Sequence, residues 1–549
     1  MATAAIWYES DGYRLEGRPL MGRRVAGQEF LKAFGRFART DRFTAVVRNP
    51  QDRQEFVATM RELRPEIPTT VISPDAMGEL ADVGCLYFPG PLLNDLAWTR
   101  RFFAPRTWSL CGVTHTVSSL RGMKIIADWP LAGFGPWDAM VCTSKAVKDA
   151  VERILGARVA QFREQLGATR VSLPHLPIIP LGVDCDRQAE IMQGRDAARV
   201  SLGIAEDTFV VLFVGRLAFN AKAHPFPMYL ALQRLAAHHK VVLVECGWTD
   251  NDAVARAYNE ARTKVCPSVR SIVLDGTSAT ELARGWACAD CFCSLSDNIQ
   301  ESFGLTPIEA MASGLPCIVT DWDGYRDTVR EGMDGFRVAT LAPPPGFAAD
   351  LIFDHVFDMR PYGGFIGHAA AITAVDCEAA SAAFERLAAS PELRRQLGAN
   401  GAQRAREAFD WSAVIRAYET LWGELAEIRT ATLKQHPLQA KPVRWAEHLD
   451  PFDLFASYPT ATLQSKMRIR LLPDAETDAF EERLSLLMAM NDVMRGDPLP
   501  ALKQLRDRLR TGSCDVETFL GHYRPADRTR ALRGLMLMAK FGLVAIDKP

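Results

Sequence analysis

Two carboxylates, Glu301 and Glu309, bracket the run Glu301-Ser-Phe-Gly-Leu-Thr-Pro-Ile-Glu309, which continues into Ala-Met-Ala-Ser-Gly-Leu-Pro-Cys-Ile-Val-Thr. Thr306, Pro307 and Glu309 read as the start of a helix, with a hydroxyl cap, proline at the first helical position and a capping-box glutamate. Gly314 is placed to end that helix, Pro316 forbids its extension, and residues 317–320 are apolar enough for a short buried strand. Upstream, the backbone N–H groups of Phe303, Gly304 and Leu305 should point out of the positive helix end, where phosphate binds readily. The loop, helix and strand therefore read as a site for a phosphorylated sugar on an α/β sheet.

Glu309 has two readings on these residues alone, because a capping-box glutamate needs no ligand to justify it. Glu301 precedes an aromatic residue and a glycine in a segment too short and too mixed to be the solvated face of a helix. The two glutamates, the Phe-Gly-Leu between them and the Ala-Met-Ala-Ser-Gly-Leu-Pro after them resemble the E-x7-E element of the retaining family-4 (group 1) glycosyltransferases. The resemblance implies that Glu301 faces the donor sugar, that Glu309 holds the ribose hydroxyls, and that residues 303–306, Thr306 included, meet the donor diphosphate. It implies a GT-B fold, with two Rossmann-like domains facing a cleft. The implied activity is that of a hexosyltransferase-like enzyme moving a sugar from a nucleotide-diphosphate donor to a carbohydrate, lipid-linked or other hydroxyl acceptor, with retention of configuration, in polysaccharide, glycolipid or glycoconjugate synthesis.

Other segments fall in the order this resemblance requires. Phe209-Val-Val-Leu-Phe-Val214 is a continuous apolar run, as expected of a parallel strand covered on both faces, and it ends in Gly215-Arg216 with Lys222 beyond. A glycine and cations at a strand's carboxyl end suit a diphosphate, since ligands of open α/β sheets bind outside that edge; two solvated surface cations are the plainer reading. By resemblance Arg216 and Lys222 are the diphosphate clamp. The chain departs from the family here, because its lysine comes six rather than five residues after the arginine, and Ala223-His224-Pro225 stands where a glycine is usual. Leu274-Asp275-Gly276 resembles the segment that passes the nucleobase. Phe409-Asp-Trp411 with Tyr418 and Trp422 resembles the helix that closes the fold by returning to the first domain.

In the amino-terminal half, residues 22–34 read as a glycine-containing loop feeding an amphipathic helix, with Phe30, Leu31 and Phe34 on one face. The resemblance makes Gly27 part of a loop that closes over the donor phosphate, whereas the residues alone equally allow a helix-start glycine. Trp108-Ser-Leu-Cys-Gly-Val-Thr-His115 reads as a strand with histidine at its end. A lone histidine is more often structural, but its position and its similarity to the family histidine that contacts the donor sugar assign it to the site.

Composition limits the alternatives. A chain of 549 residues, 48% hydrophobic and 24% charged, can bury cores for two to four domains, and a formal net charge of -2 gives no general attraction to nucleic acid or anionic membrane. With neither a signal-like amino terminus nor a run of about twenty apolar residues, a cytoplasmic enzyme is expected. Twelve cysteines include the cluster Cys288, Cys291 and Cys293, but no second Cys or His pair stands at zinc-finger spacing, so these read as buried small hydrophobes. No metal or other cofactor is expected.

The expected domains are 1–198 (acceptor), 199–405 (donor), 406–430 (closing helix) and 431–549 (a linker and a mainly helical extension outside the resemblance). Residues 530–546 are apolar with interspersed cations, and suit the core of a small module first, a homo-oligomer contact second and a peripheral membrane contact third. A nucleotide-sugar epimerase or hydrolase of the same architecture, and a non-catalytic sugar-nucleotide scaffold, are the rival functions.

Overall fold

The computed structural model describes residues 3–14, 22–103, 107–435, 445, 447–490 and 499–547. The chain forms two compact units, residues 1–443 and 444–549.

The first unit contains two parallel six-stranded sheets. One is built from β1 (Ala5–Tyr8), β2 (Phe43–Val47), β3 (Thr69–Ile72), β4 (Cys85–Phe88), β5 (Ser109–Val113) and β6 (Ala139–Val141), in the order β3-β2-β1-β4-β5-β6. The other comprises β7 (Phe209–Arg216), β8 (Val241–Trp248), β9 (Arg270–Asp275), β10 (Cys291–Ser294), β11 (Cys317–Thr320) and β12 (Gly335–Val338), in the order β12-β11-β10-β7-β8-β9. Both have the doubly wound order, with the first strand of each half at the switch point, so the expected pair of Rossmann-like domains is present. The apolar run at β7 has the reason the sequence suggested. Val210 and Leu212 enter the core on one face of the sheet, while Phe209, Val211 and Phe213 enter the core on the other. Alternation places every side chain of such a strand against protein.

The helix Trp411–Gln435 explains how the chain returns. Its buried residues Trp411, Val414, Ile415, Tyr418, Leu421, Trp422 and Leu425 follow the helical period and all join the core of the first sheet. Phe30 of the helix Gly22–Phe37 meets the Trp411 and Tyr418 rings edge-on, with centroids 6.3 and 5.3 Å away. Just before this helix the chain pairs with the outgoing crossover: the Val183 N–H donates to the Phe409 carbonyl at 2.8 Å, and the Trp411 N–H donates to the Val183 carbonyl at 3.2 Å. A side chain at Gly182 would lie 2.3 Å from the Trp411 ring, which is why the crossover is glycine there.

Two expectations need correction. Residues 22–27 are not a loop, because the helix begins at Gly22 and Gly27 lies inside it. A Cβ at Gly27 would sit 2.0 Å from the Gly12 carbonyl oxygen, so this glycine permits close contact with the short helix Ser10–Tyr13. The helix carrying Glu309 spans Leu305–Ala312, with Gly304 as its cap at φ 82° and no side-chain cap bond. Thr306 is therefore not the cap, Pro307 is the third helical residue, and Glu309 lies too far along to close a capping box. The extension is mainly helical, as expected, and adds a small sheet: in residues 444–549, β15 (Arg468–Leu471) is flanked by the antiparallel strands β16 (Cys514–Asp515) and β17 (Val544–Asp547). Ala531, Leu535 and Met538 of the helix Pro525–Lys540 and the following Leu543 and Val544 are buried in this unit's own core, the first of the three roles considered for that stretch.

The expected linker at 434–443 begins as helix through Gln435, and its remainder lies outside the described residues. Cys288, Cys291 and Cys293 are all buried, and the described residues contain no group of His, Cys, Asp or Glu able to hold a metal ion. No helix among the described residues is long and apolar enough to cross a membrane.

Candidate functional site

The carboxyl ends of the second sheet's central strands are built for close backbone approach. Gly215, with φ 146°, ends the run of β7. A Cβ at Gly247 on the neighbouring strand would lie 2.0 Å from the Gly215 oxygen, and one at Gly276 would lie 2.7 Å from the Gly247 Cα. Three glycines in lateral succession leave bare backbone where the sheet opens. Arg216 follows at the strand end, with its guanidinium 3.6 Å from the Asp250 carboxylate. Asp275 is engaged in its own turn, accepting from the Thr277 N–H at 2.8 Å and the Thr277 hydroxyl at 2.7 Å, which holds its carboxyl below the ordinary range.

Lys222 and Glu301, 79 residues apart in sequence, meet: Lys222 Nζ donates to Glu301 Oε2 at 2.8 Å. Glu301 keeps only 10% of its side-chain surface exposed and Lys222 39%, so the pair sits at the edge of solvent with the lysine outermost. The lysine reaches this point because its loop is tied to the segment leading to Glu301. The Ser296 hydroxyl donates to the Lys222 carbonyl at 3.1 Å, and the Asn298 amide donates to the Asn220 carbonyl at 2.8 Å. The lysine displaced in sequence is thus beside the first glutamate.

Beyond Glu301, Phe303 is buried edge-on to Phe409, and Gly304 makes the turn into the helix. A Cβ at Gly304 would meet the buried Tyr325 ring at 2.1 Å, so both its φ and its neighbour demand glycine. Leu305 and Thr306 form the first turn, where N–H groups have no partner within the helix. The Glu309 side chain, one turn further, makes no hydrogen bond or ion pair among the described residues. Burial pushes its carboxyl up to about 7, against the downward pull of Arg187 and Lys222, while Glu29 of the first domain adds to the rise. A half-buried carboxyl with a raised pKa and no protein partner is open to one from a ligand.

His115 lies two residues beyond β5, with Nε2 3.1 Å from the Pro89 carbonyl oxygen. It lines a small cavity together with Gly27, Phe30, Tyr87, Trp411 and Tyr418. The two first-domain candidates are therefore brought together, though by a helix rather than a loop in the case of Gly27.

The sequence reading missed Asp323 and Asp297. Asp323 follows β11 with φ 42°, a strained conformation for a residue other than glycine. Burial pushes its carboxyl up to about 8, and nearby Glu301 pushes it the same way. The Ser144 hydroxyl of the first domain donates to the Ser302 carbonyl at 2.8 Å and lies 3.5 Å from Asp323 Oδ1, while the Lys145 N–H donates to Asp327 at 2.6 Å. The amino end of the helix Lys145–Leu166 thus meets the second domain beside the glutamates. Asp297 follows β10, and burial pushes it up to about 7. Position alone could have marked both, since each stands just past the carboxyl end of a central parallel strand.

Residues 194–343 match the family model described as glycosyl transferases group 1. D-inositol 3-phosphate glycosyltransferase from Streptomyces griseus is 25% identical over 278 residues, 49% of this chain and 49% of that protein. The Mycobacterium leprae protein of the same name is 26% identical over 348 residues, 61% of this chain and 69% of that one. The chain thus spans about half the length of the first of these relatives and about two thirds of the second. Sucrose-phosphate synthase from Thermosynechococcus elongatus aligns with a TM-score of 0.46 at 17% identity, over 74% of this chain and 94% of that structure. The segment matched by this family model, residues 194–343, contains every expected site residue except Gly27 and His115.

Proposed function

We propose that this chain is a retaining glycosyltransferase that moves a sugar from a nucleotide-diphosphate donor to a hydroxyl acceptor in the cleft between the two Rossmann-like domains. The single observation that carries this reading is the convergence of the Lys222–Glu301 pair, 2.8 Å apart, with the partnerless carboxyl of Glu309 around one glycine-capped helix start. The match of residues 194–343 to the group 1 glycosyltransferases supports it.

Each group then has one task. The donor diphosphate lies over the bare backbone at Gly215 and the first turn after Gly304, where N–H dipoles and the cations Arg216 and Lys222 meet its charge. As the bond between the anomeric carbon and the β-phosphate oxygen breaks, negative charge grows on that oxygen, and groups already aimed at it are stabilising without reorganisation. The acceptor oxygen bonds to the anomeric carbon on the same face, and its proton passes to the departing diphosphate oxygen. Glu301 orients the sugar, Glu309 accepts hydrogen bonds from the ribose hydroxyls, and His115 holds a sugar hydroxyl from the first domain. Because the two cations supply the positive charge, the reaction proceeds without a divalent metal. Asp275 shapes the turn beside the nucleobase through Thr277, and Gly27 and Gly276 allow the walls to approach.

The reading is tested by incubating the full chain with UDP-, GDP- and ADP-sugars, each with a mixed panel of hydroxyl acceptors, and measuring nucleoside diphosphate release and product configuration. One donor should be consumed only when acceptor is present, giving a product of unchanged configuration, and Glu301→Ala should abolish this while keeping the native melting transition. Donor turnover without acceptor would indicate a hydrolase or epimerase instead, and full activity of Glu301→Ala would overturn the site.

A further inference from the structure

At the end of the matched segment, residues 342–373 stand between two short antiparallel strands, β13 (Thr340–Leu341) and β14 (Ala374–Val375). Two helices fill this excursion, Ala349–Val356 and Tyr362–Ala371. The second touches both halves of the site just described.

At one side it packs on the loop that carries Lys222. Ile366 is buried against Ala218 and Ala221. A Cβ at Gly367 would lie 2.6 Å from the Asn220 Cβ, so the helix and loop approach as closely as glycine allows, and the Asn220 amide donates to the Gly363 carbonyl at 3.4 Å. With Asn298 holding the Asn220 carbonyl from the opposite side, the loop is clamped between this helix and the segment leading to Glu301. At its first residue the same helix reaches the other domain: the Tyr362 hydroxyl lies 2.7 Å from the Ser118 hydroxyl and 3.5 Å from that of Thr116. These two residues closely follow His115 on the first-domain loop.

We propose that Tyr362 is a positioning residue, and that its helix is a clasp through which the seating of the first-domain loop at 115–118 fixes the placement of Lys222 beside Glu301. Tyr362 acts through other groups. Its hydroxyl engages Ser118 when the cleft is closed, and the rigid helix behind it transmits that engagement to Asn220 and the lysine loop. The proposal rests on the donor-site reading for what Lys222 does, but the mechanical coupling stands on the contacts alone.

The test uses the full-length chain and begins with amide hydrogen exchange of Tyr362→Phe, Ser118→Ala and Ser118→Thr. Ser118→Ala should raise exchange several-fold not only at 116–118 but also at 218–222, a loop that Ser118 does not touch, and Ser118→Thr, which keeps a hydroxyl, should restore protection at both. A rise confined to 116–118 overturns the clasp. Turnover provides the second readout. A net hydrogen bond is worth about 0.5–1.5 kcal/mol, so each single variant should lose about 2- to 12-fold in kcat/KM. The double variant Tyr362→Phe/Ser118→Ala should be no worse than either single, whereas multiplied losses would mean the two hydroxyls act independently. If the wild type transfers sugar from no donor while exchange remains coupled, the transferase reading fails and the clasp survives. Uncoupled exchange in an active enzyme means the reverse: the transferase reading survives and the clasp fails.

Discussion

Glu301 and Glu309, so alike in the sequence, occupy opposite electrostatic situations. Glu301 is held by a cation at 2.8 Å, whereas Glu309 is half-buried without a protein partner and pushed up to about 7. A ribose ligand must accept hydrogen bonds, which favours the ionised carboxylate, so donor affinity should rise with pH through about 7. Calorimetric titration of donor at pH 6 and pH 8 should show this gain in the wild type and its loss in Glu309→Gln. Asp297, Glu309 and Asp323 together have a consequence for stability. Each is raised in the folded chain, to about 7, 7 and 8, so between roughly pH 4 and 8 the native state binds more protons than the unfolded one. Their contribution is full below the ordinary carboxyl range, falls steadily as pH rises from about 4, and is gone once pH has passed through the folded values of about 7 to 8. The melting temperature of the ligand-free chain should therefore fall over that window, and Asp323→Asn should flatten the fall. Among these residues Glu301 was legible because its neighbours belong to a recognisable pattern. Asp323 was marked only by its place past a strand end, because its backbone angle and the burial that raises its carboxyl are not encoded by adjacent residues.

The helix Leu305–Ala312 shows what local patterning conveys and where tertiary packing overrides it. Gly314 at φ 71° ends it and Cys317–Thr320 follows as a fully buried strand, as composition and the glycine-proline punctuation required. Its beginning was misplaced because Thr-Pro is a strong local start signal, whereas the actual start is set by Gly304 folding against the Tyr325 ring. Gly304→Ala combines a left-handed backbone angle with a buried clash and should cost on the order of 2–4 kcal/mol, read as a lower denaturant midpoint at unchanged m-value. Gly27 was misassigned for a similar reason: a glycine that lets two helices touch looks the same in sequence as one that opens a loop. The strands at 209–214 and 317–320 were readable, since doubly covered parallel strands carry continuous apolar runs, whereas the short antiparallel strands β15 to β17 carry no such run and were not read.

On the scale of the whole molecule, every proposed site residue lies within residues 1–443, while 444–549 buries its own core around Ile469, Phe480 and Leu535. A chain ending at residue 443 should therefore bind donor with the affinity of the full chain, and a loss of binding would give the second unit a part in the site. That unit's role was not legible in the sequence, which offers apolar periodicity there but no spacing of groups that carry chemistry. The two Rossmann-like halves, by contrast, were implied by the resemblance carried by residues 301–309 and the segments in order around them, and the two six-stranded parallel sheets agree with it. The central claim is that the Lys222, Glu301 and Glu309 cluster receives a nucleotide-diphosphate sugar, and a ligand that binds only the native state raises the melting temperature by mass action. The most direct measurement is thermal unfolding of the wild type and of Glu309→Ala across UDP-, GDP- and ADP-sugars. One base should raise the melting temperature of the wild type by several degrees at about a hundred times its dissociation constant, and should leave the variant nearly unmoved. No shift with any donor, or an equal shift in the variant, would contradict it.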